Sequence, residues 1–119
     1  MSRFTNPSYR EGVKALPIIS TAMKYFTYNG TKVSLKAEQY RNNGTLAVSM
    51  YTKDGDLYNV ITVNLNDMLQ SDSMAYLDTN NHSNIGKWLE KKGLALPMGV
   101  TARSGFCNYP LYTIFTSMF

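Results

Sequence analysis

Three turn signals cut the first half of this chain into segments of strand length: Asn29-Gly30, Asn42-Asn43-Gly44 and Lys53-Asp54-Gly55-Asp56. Asn-Gly is a strong short hairpin signal, because the two-residue turn that matches strand twist requires positive φ at both central positions, which these residues accept. Between the turns the side chains alternate. Val33, Leu35 and Ala37 share one face, against Lys32, Ser34, Lys36 and Glu38 on the other; Leu46, Val48 and Met50 share a side, as do Leu57, Ile61, Val63 and Leu65. A period of two with one polar side predicts an antiparallel meander with one face on a core and one in water. Its expected strands are Met23 to Tyr28, Lys32 to Glu38, Thr45 to Thr52 and Leu57 to Leu65.

Downstream the period changes. Asp78-Thr79-Asn80-Asn81 supplies four capping residues, and Ile85, Trp88 and Leu89 follow at the i, i+3, i+4 spacing of a helix face. Lys91 and Lys92 oppose the macrodipole at the far end, and Gly93 suits the left-handed C′ position, pairing Leu89 with Leu94 across a Schellman ending. Leu65 to Leu69 is expected to form a short helical turn and Met74 to Leu77 a short strand. Leu96-Pro97-Met98-Gly99 reads as a turn, Thr101 to Asn108 as a loop centred on Arg103-Ser104-Gly105, and Leu111 to Phe115 as a last strand with Pro110 at its start. The expected fold class is therefore α+β: a mostly antiparallel sheet of about five to six strands, beginning with an N-terminal meander, and one amphipathic helix near residues 83–92. Residues 1–20 show no period and are punctuated by Pro7, Gly12 and Pro17, so they read as an irregular arm before a single domain over 21–119.

An apolar share of 44% with nine tyrosines is too rich for a disordered chain, and 119 residues suffice for one core. The lone cysteine, Cys107, rules out an intramolecular disulfide, the first sixteen residues lack the apolar stretch of a signal peptide, and no run approaches the roughly 20 apolar residues of a membrane span. A cytoplasmic protein without membrane attachment is expected. Charge is unevenly laid out: residues 1–40 carry six basic and two acidic side chains, 41–80 two and five, and 81–119 four and one. Nucleic-acid contacts usually present clustered Lys/Arg stripes, and here the basic residues are scattered.

Chemical motifs are sparse. His82, Cys107 and Asp78 are the material for a Cys-His-Asp site, but nothing in their spacing brings thiol and imidazole together, so no catalytic residue is assigned and the chain is not expected to be an enzyme. Asp54, Asp56, Asp67, Asp72 and Asp78 lack the twelve-residue calcium-loop pattern, and no glycine-rich phosphate loop is present, so no metal and no cofactor are assigned. Tyr28, Tyr51 and Tyr58, with Lys24, Lys32 and Lys36, form a candidate tyrosine-bearing, basic sheet face able to stack bases. A second basic groove would be lined by Lys87, Lys91 and Arg103.

Several stretches carry a resemblance: Tyr28-Asn29-Gly30, Asn42-Asn43-Gly44-Thr45-Leu46-Ala47, Thr62-Val63-Asn64-Leu65, Leu77-Asp78-Thr79-Asn80-Asn81, Trp88-Leu89 and the ten residues from Arg103 to Tyr112. In these the chain resembles a family of small bacterial domains of unknown function associated with phages and conjugative elements of gut bacteria; the first twenty-two residues fall outside it. The resemblance implies a compact domain in a mobile-element setting and assigns no reaction. Asp78, Asn80, Asn81, Arg103, Tyr109 and Tyr112 are the candidate binding residues, on the expectation that the strand ending at Asp78 neighbours the strand beginning near Tyr109, with Asp78 accepting from Arg103 or from the loop backbone, and Tyr109 or Tyr112 packed on Trp88. The expected function is an accessory binding protein of a mobile genetic element that inhibits a host defence enzyme by protein contact; the alternative is nucleic-acid binding by the tyrosine-bearing sheet face.

Overall fold

The computed structural model describes residues 23–119. The expected arm, and the first two residues of the expected domain, lie outside them. In chain order the elements are β1 (Phe26–Tyr28), β2 (Thr31–Gln39), β3 (Leu46–Thr52), β4 (Leu57–Val60), β5 (Thr62–Val63), β6 (Met74–Leu77), α1 (Ile85–Lys91), β7 (Ala95–Ser104), β8 (Cys107–Ile114) and a 3₁₀ turn (Thr116–Met118). They build two antiparallel sheets of four strands, ordered β1-β2-β3-β4 and β5-β6-β8-β7. The α+β class holds, and the first sheet is the meander that the turn spacing predicts. Asn29 and Gly30 both take positive φ, at 48° and 83°, and set Tyr28 opposite Thr31.

The fourth strand departs from expectation. It is not one element over Leu57–Leu65 but two, split at Ile61, and the split joins the sheets. The Ile61 amide donates to the Val48 carbonyl at 3.0 Å in the first sheet, while its carbonyl accepts from the Asp78 amide at 2.8 Å in the second. A register shift between Met50 and Tyr51 places Leu57 opposite Tyr51, so Leu57 stands 58% exposed rather than in the core. An extra residue inverts the alternation locally, which period counting cannot foresee. Ala37 is exposed as well, bordering a shallow groove with Glu38, Leu46, Asp72 and Thr116.

The core lies between these sheets and the helix. Val33, Leu35, Val48, Met50 and Tyr28 from the first sheet meet Ala75, Leu77, Ile114 and Tyr112 from the second, with Ile85 and Leu89 of α1. Each large apolar side chain so buried stabilises the fold by roughly 1.5–3 kcal/mol. The helix ends as its sequence predicts. Gly93 (φ 73°) follows Lys92, the Leu94 amide donates to the Leu89 carbonyl and the Gly93 amide to Glu90, and Leu89 and Leu94 are both buried. Its start differs. The N-cap is Asn84, whose side chain makes no capping bond to the helix because it accepts from Tyr28 and donates to Asn29, while Asp78 serves an earlier turn.

A cluster of amides fastens the β2–β3 turn to the loop after β5. Asn64 Nδ2 donates to Asn42 Oδ1 and Asn43 Nδ2 to Asn64 Oδ1, at 2.9 and 3.0 Å. Gln70, 7% exposed, accepts from the amides of Leu65 and Asp67 and donates to Thr45 and Asn64. The helical turn expected over Leu65–Leu69 is thus a non-helical turn closed by the Gln70 amide on the Asp67 carbonyl. Propensity alone does not reveal this, because a buried side chain supplies the acceptor that a helix carbonyl would have supplied.

Candidate functional site

The chain expected to form a loop at Thr101–Asn108 instead forms the end of a hairpin. β7 and β8 pair from Ala95↔Ile114 through Ser104↔Cys107, closed by the two residues Gly105 and Phe106. Gly105 has φ 61°, as a two-residue turn with glycine first requires. The Leu96–Gly99 turn is likewise absorbed into β7 as an irregularity in register between Pro97 and Thr101, and Pro110 falls within β8 rather than at its start. Turn residues mark where the ladder breaks, not where the strand ends.

β6 pairs with β8 only over Leu111–Thr113. Among the described residues, Thr101–Ser104 and Cys107–Pro110 are therefore a two-stranded ribbon with no third strand alongside. Phe106 stands at its tip, 96% exposed, and Leu96, Met98 and Val100 are exposed along β7. Arg103 is the only charged residue after Lys92 in the sequence, and its guanidinium Nε donates to the Gly105 carbonyl at 3.0 Å across the tip.

Asp78 sits at the base of this arm, and the expected neighbouring of its strand with the Tyr109 strand is observed, Tyr76 pairing with Leu111. Its pairing with Arg103 is not. Asp78, 8% exposed, accepts from the Asn81 side chain at 2.9 Å and the Asn81 amide at 3.3 Å, and its carbonyl accepts from the His82 amide. Asp78 and Asn81 thus shape the turn before the helix, while Asn80 is exposed on it. Asp78 still acts at short range. Burial pushes the Tyr40 phenol up from its ordinary value, against a 2.8 Å bond to Thr62, and the Asp78 charge adds to that rise. The adjacent Cys107 raises Tyr109 by a side-chain hydrogen bond, with burial and the Cys107 and Asp78 charges adding.

Tyr112 does not meet the ribbon tip. It is buried against α1, where Oη donates to Glu90 Oε2 at 2.6 Å. Trp88 packs edge-on to Tyr28 and Phe26, at centroid distances of 5.0 and 6.2 Å, and its indole N–H donates to the Thr27 carbonyl at 2.8 Å. Among the described residues the aromatic partners of Trp88 are therefore in β1 and not at Tyr109 or Tyr112. Asn84, Lys87, Trp88 and Lys91 line a small groove that does not include Arg103.

The tyrosine-bearing face exists in altered membership. Tyr28 is not on it: at 2% exposure it is core, donating to Asn84 Oδ1. Lys24 turns to the Met118 carbonyl, and Lys32 and Tyr58 are exposed but do not line the groove found there. That groove, of about 350 Å³, runs between Tyr25 and Tyr51 with Ser34 beneath, and Lys36 and Lys53 flank it. Lys36 Nζ lies 5.9 Å from the Tyr51 ring centre and Lys53 Nζ 6.0 Å from that of Tyr25. Alternation from the half-buried Phe26 and the buried Tyr28 would have put Tyr25 outward, so that signal was in the sequence.

Among the described residues no three of His, Cys, Asp and Glu gather as a metal site would require, and no helix is long and apolar enough to cross a membrane. A family model described as a domain of unknown function (DUF4313) matches residues 34–118. No curated protein and no solved structure matches the chain significantly.

Proposed function

We propose that this chain, which belongs to the DUF4313 family, works by binding a protein partner through the β7–β8 arm, as an accessory protein of a mobile genetic element that blocks a host defence enzyme by contact. The observation carrying this reading is the ribbon with Phe106 at its tip. An isolated two-stranded hairpin is marginal in water. This one is anchored at its base by β6 and ends in an aromatic that contributes nothing to the core. Aromatic side chains that fill a partner's pocket dominate protein interfaces.

The contact is expected at the tip rather than along the edge. β7 is an outer strand, yet its register break and Pro97 interrupt the row of free backbone groups that strand addition would need. With Arg103 as its one charge, the arm loses little solvation on entering a cleft.

The test compares capture from host lysate by the wild-type chain and by Phe106→Ser, with thermal melting as the folding control. One stoichiometric protein held by the wild type, and held about 10- to 100-fold more weakly by the variant, is the expected result, the size following from burial of one phenyl ring. Equal capture by both chains overturns the reading, as does recovery of nucleic acid alone.

A further inference from the structure

The outer face of the first sheet carries a second surface, remote in sequence from the arm. Ser34 pairs with Tyr51 across β2 and β3, and because Phe26 pairs with Val33, the preceding Tyr25 falls on the other side of Ser34. The row Tyr25, Ser34, Tyr51 is a small residue between two aromatics. Ser34 is 3% exposed and forms the floor. Two strand spacings separate the tyrosine backbones by about 9.6 Å. A flat ring touching both aromatic faces needs about 7–8 Å.

Cations flank the row. Lys36 and Lys53 stand over the Tyr51 and Tyr25 rings, and among the described residues no acidic side chain lines the groove. Opposing charge among the described residues comes from Glu38, 3.5 Å from Lys36, while Asp54 and Asp56 lie in the adjoining β3–β4 turn. Long-range attraction is therefore weak, and affinity must come from stacking with few phosphate contacts.

We infer that this groove takes single-stranded nucleic acid, one base stacking between Tyr25 and Tyr51 while Lys36 and Lys53 contact the phosphates on either side. Flat rings recognise every base by its π-face, so the site discriminates single strand from duplex rather than one sequence from another. A peptide would need acidic residues on both sides of an aromatic, whereas in single-stranded nucleic acid every base lies between phosphates.

The experiment is fluorescence anisotropy of a fluorescein-labelled oligothymidylate titrated with the full chain at several salt concentrations, with its duplex as comparison. Single strand should bind and duplex more weakly, with a slope of log affinity against log salt of about −1.4, for two phosphates. Tyr51→Ala should weaken binding about 5- to 100-fold while Tyr51→Phe retains it, because the ring and not the hydroxyl stacks. Lys53→Gln, at an exposed position, should shallow the slope by about 0.7. Phe106→Ser should change nothing, so failure here and failure of the arm are separable. No binding at low salt, equal affinity for duplex, or unchanged binding in folded Tyr51→Ala each overturns the inference. So does a protein partner lost on Tyr51→Ala when the oligonucleotide does not bind.

Discussion

Tyr112 Oη donates to Glu90 Oε2 at 2.6 Å, and the same phenol fills the space above Gly86 of the helix. One side chain of β8 thereby fixes how α1 lies on the second sheet. The contact explains why a glycine is kept inside a seven-residue helix, where alanine would be favoured by about 1 kcal/mol.

A methyl at position 86 would meet Tyr112 Oη at 2.5 Å and Cζ at 2.9 Å. Overpacking of this kind costs about 1–3 kcal/mol, so Gly86→Ala should destabilise the protein despite its better helix propensity. Urea denaturation of Gly86→Ala in the wild-type and Tyr112→Leu backgrounds checks it. In the second background the substitution should become neutral or stabilising, and equal destabilisation in both would refute the contact.

Burial, then the Glu90 hydrogen bond and charge, push the Tyr112 phenol up to about 12 from an ordinary 10.0. The fold favours the protonated phenol, so this stabilisation is fully present below pH 10 and is lost as pH rises through 12. It amounts to roughly 2 kcal/mol. Absorbance titration near 295 nm should show a late-ionising tyrosine that disappears in Tyr112→Phe, and alkaline unfolding of that variant should depend less steeply on pH. Tyr28 and Tyr40, both raised chiefly by burial, act in the same direction.

Gln70 is the keystone of the amide cluster, its oxygen serving two backbone amides and its nitrogen two side chains. Gln70→Ala leaves those amides without partners in a buried place, which should cost about 2–3 kcal/mol. Gln70→Glu keeps the acceptor but loses both donors and sets a buried carboxylate oxygen against Asn64 Oδ1, so it should cost at least as much. The urea midpoint should fall in both variants with the slope unchanged; a loss under about 0.5 kcal/mol for Gln70→Ala, the scale of an ordinary surface change, would mean the cluster is incidental.

The sequence by itself determined whatever is set by neighbours along the chain. Asn29-Gly30 fixes its turn because few other residues accept two positive φ angles in succession, and Leu89, Gly93 and Leu94 specify the helix ending within six positions. Val33, Leu35, Val48 and Met50 announced the inner face of the first sheet by alternation alone. The tertiary structure decided what depends on distant partners. Ile61 ends one sheet and starts another because Val48 and Asp78 claim its two backbone groups from opposite sides. Asp78 turns to Asn81 and not to Arg103, since a residue three positions away holds it at almost no entropic cost, whereas Arg103 lies out on the arm. The arm itself was hidden because Gly105-Phe106 makes a turn only when Ser104 and Cys107 already face each other, and that pairing is set by how far β8 outruns β6.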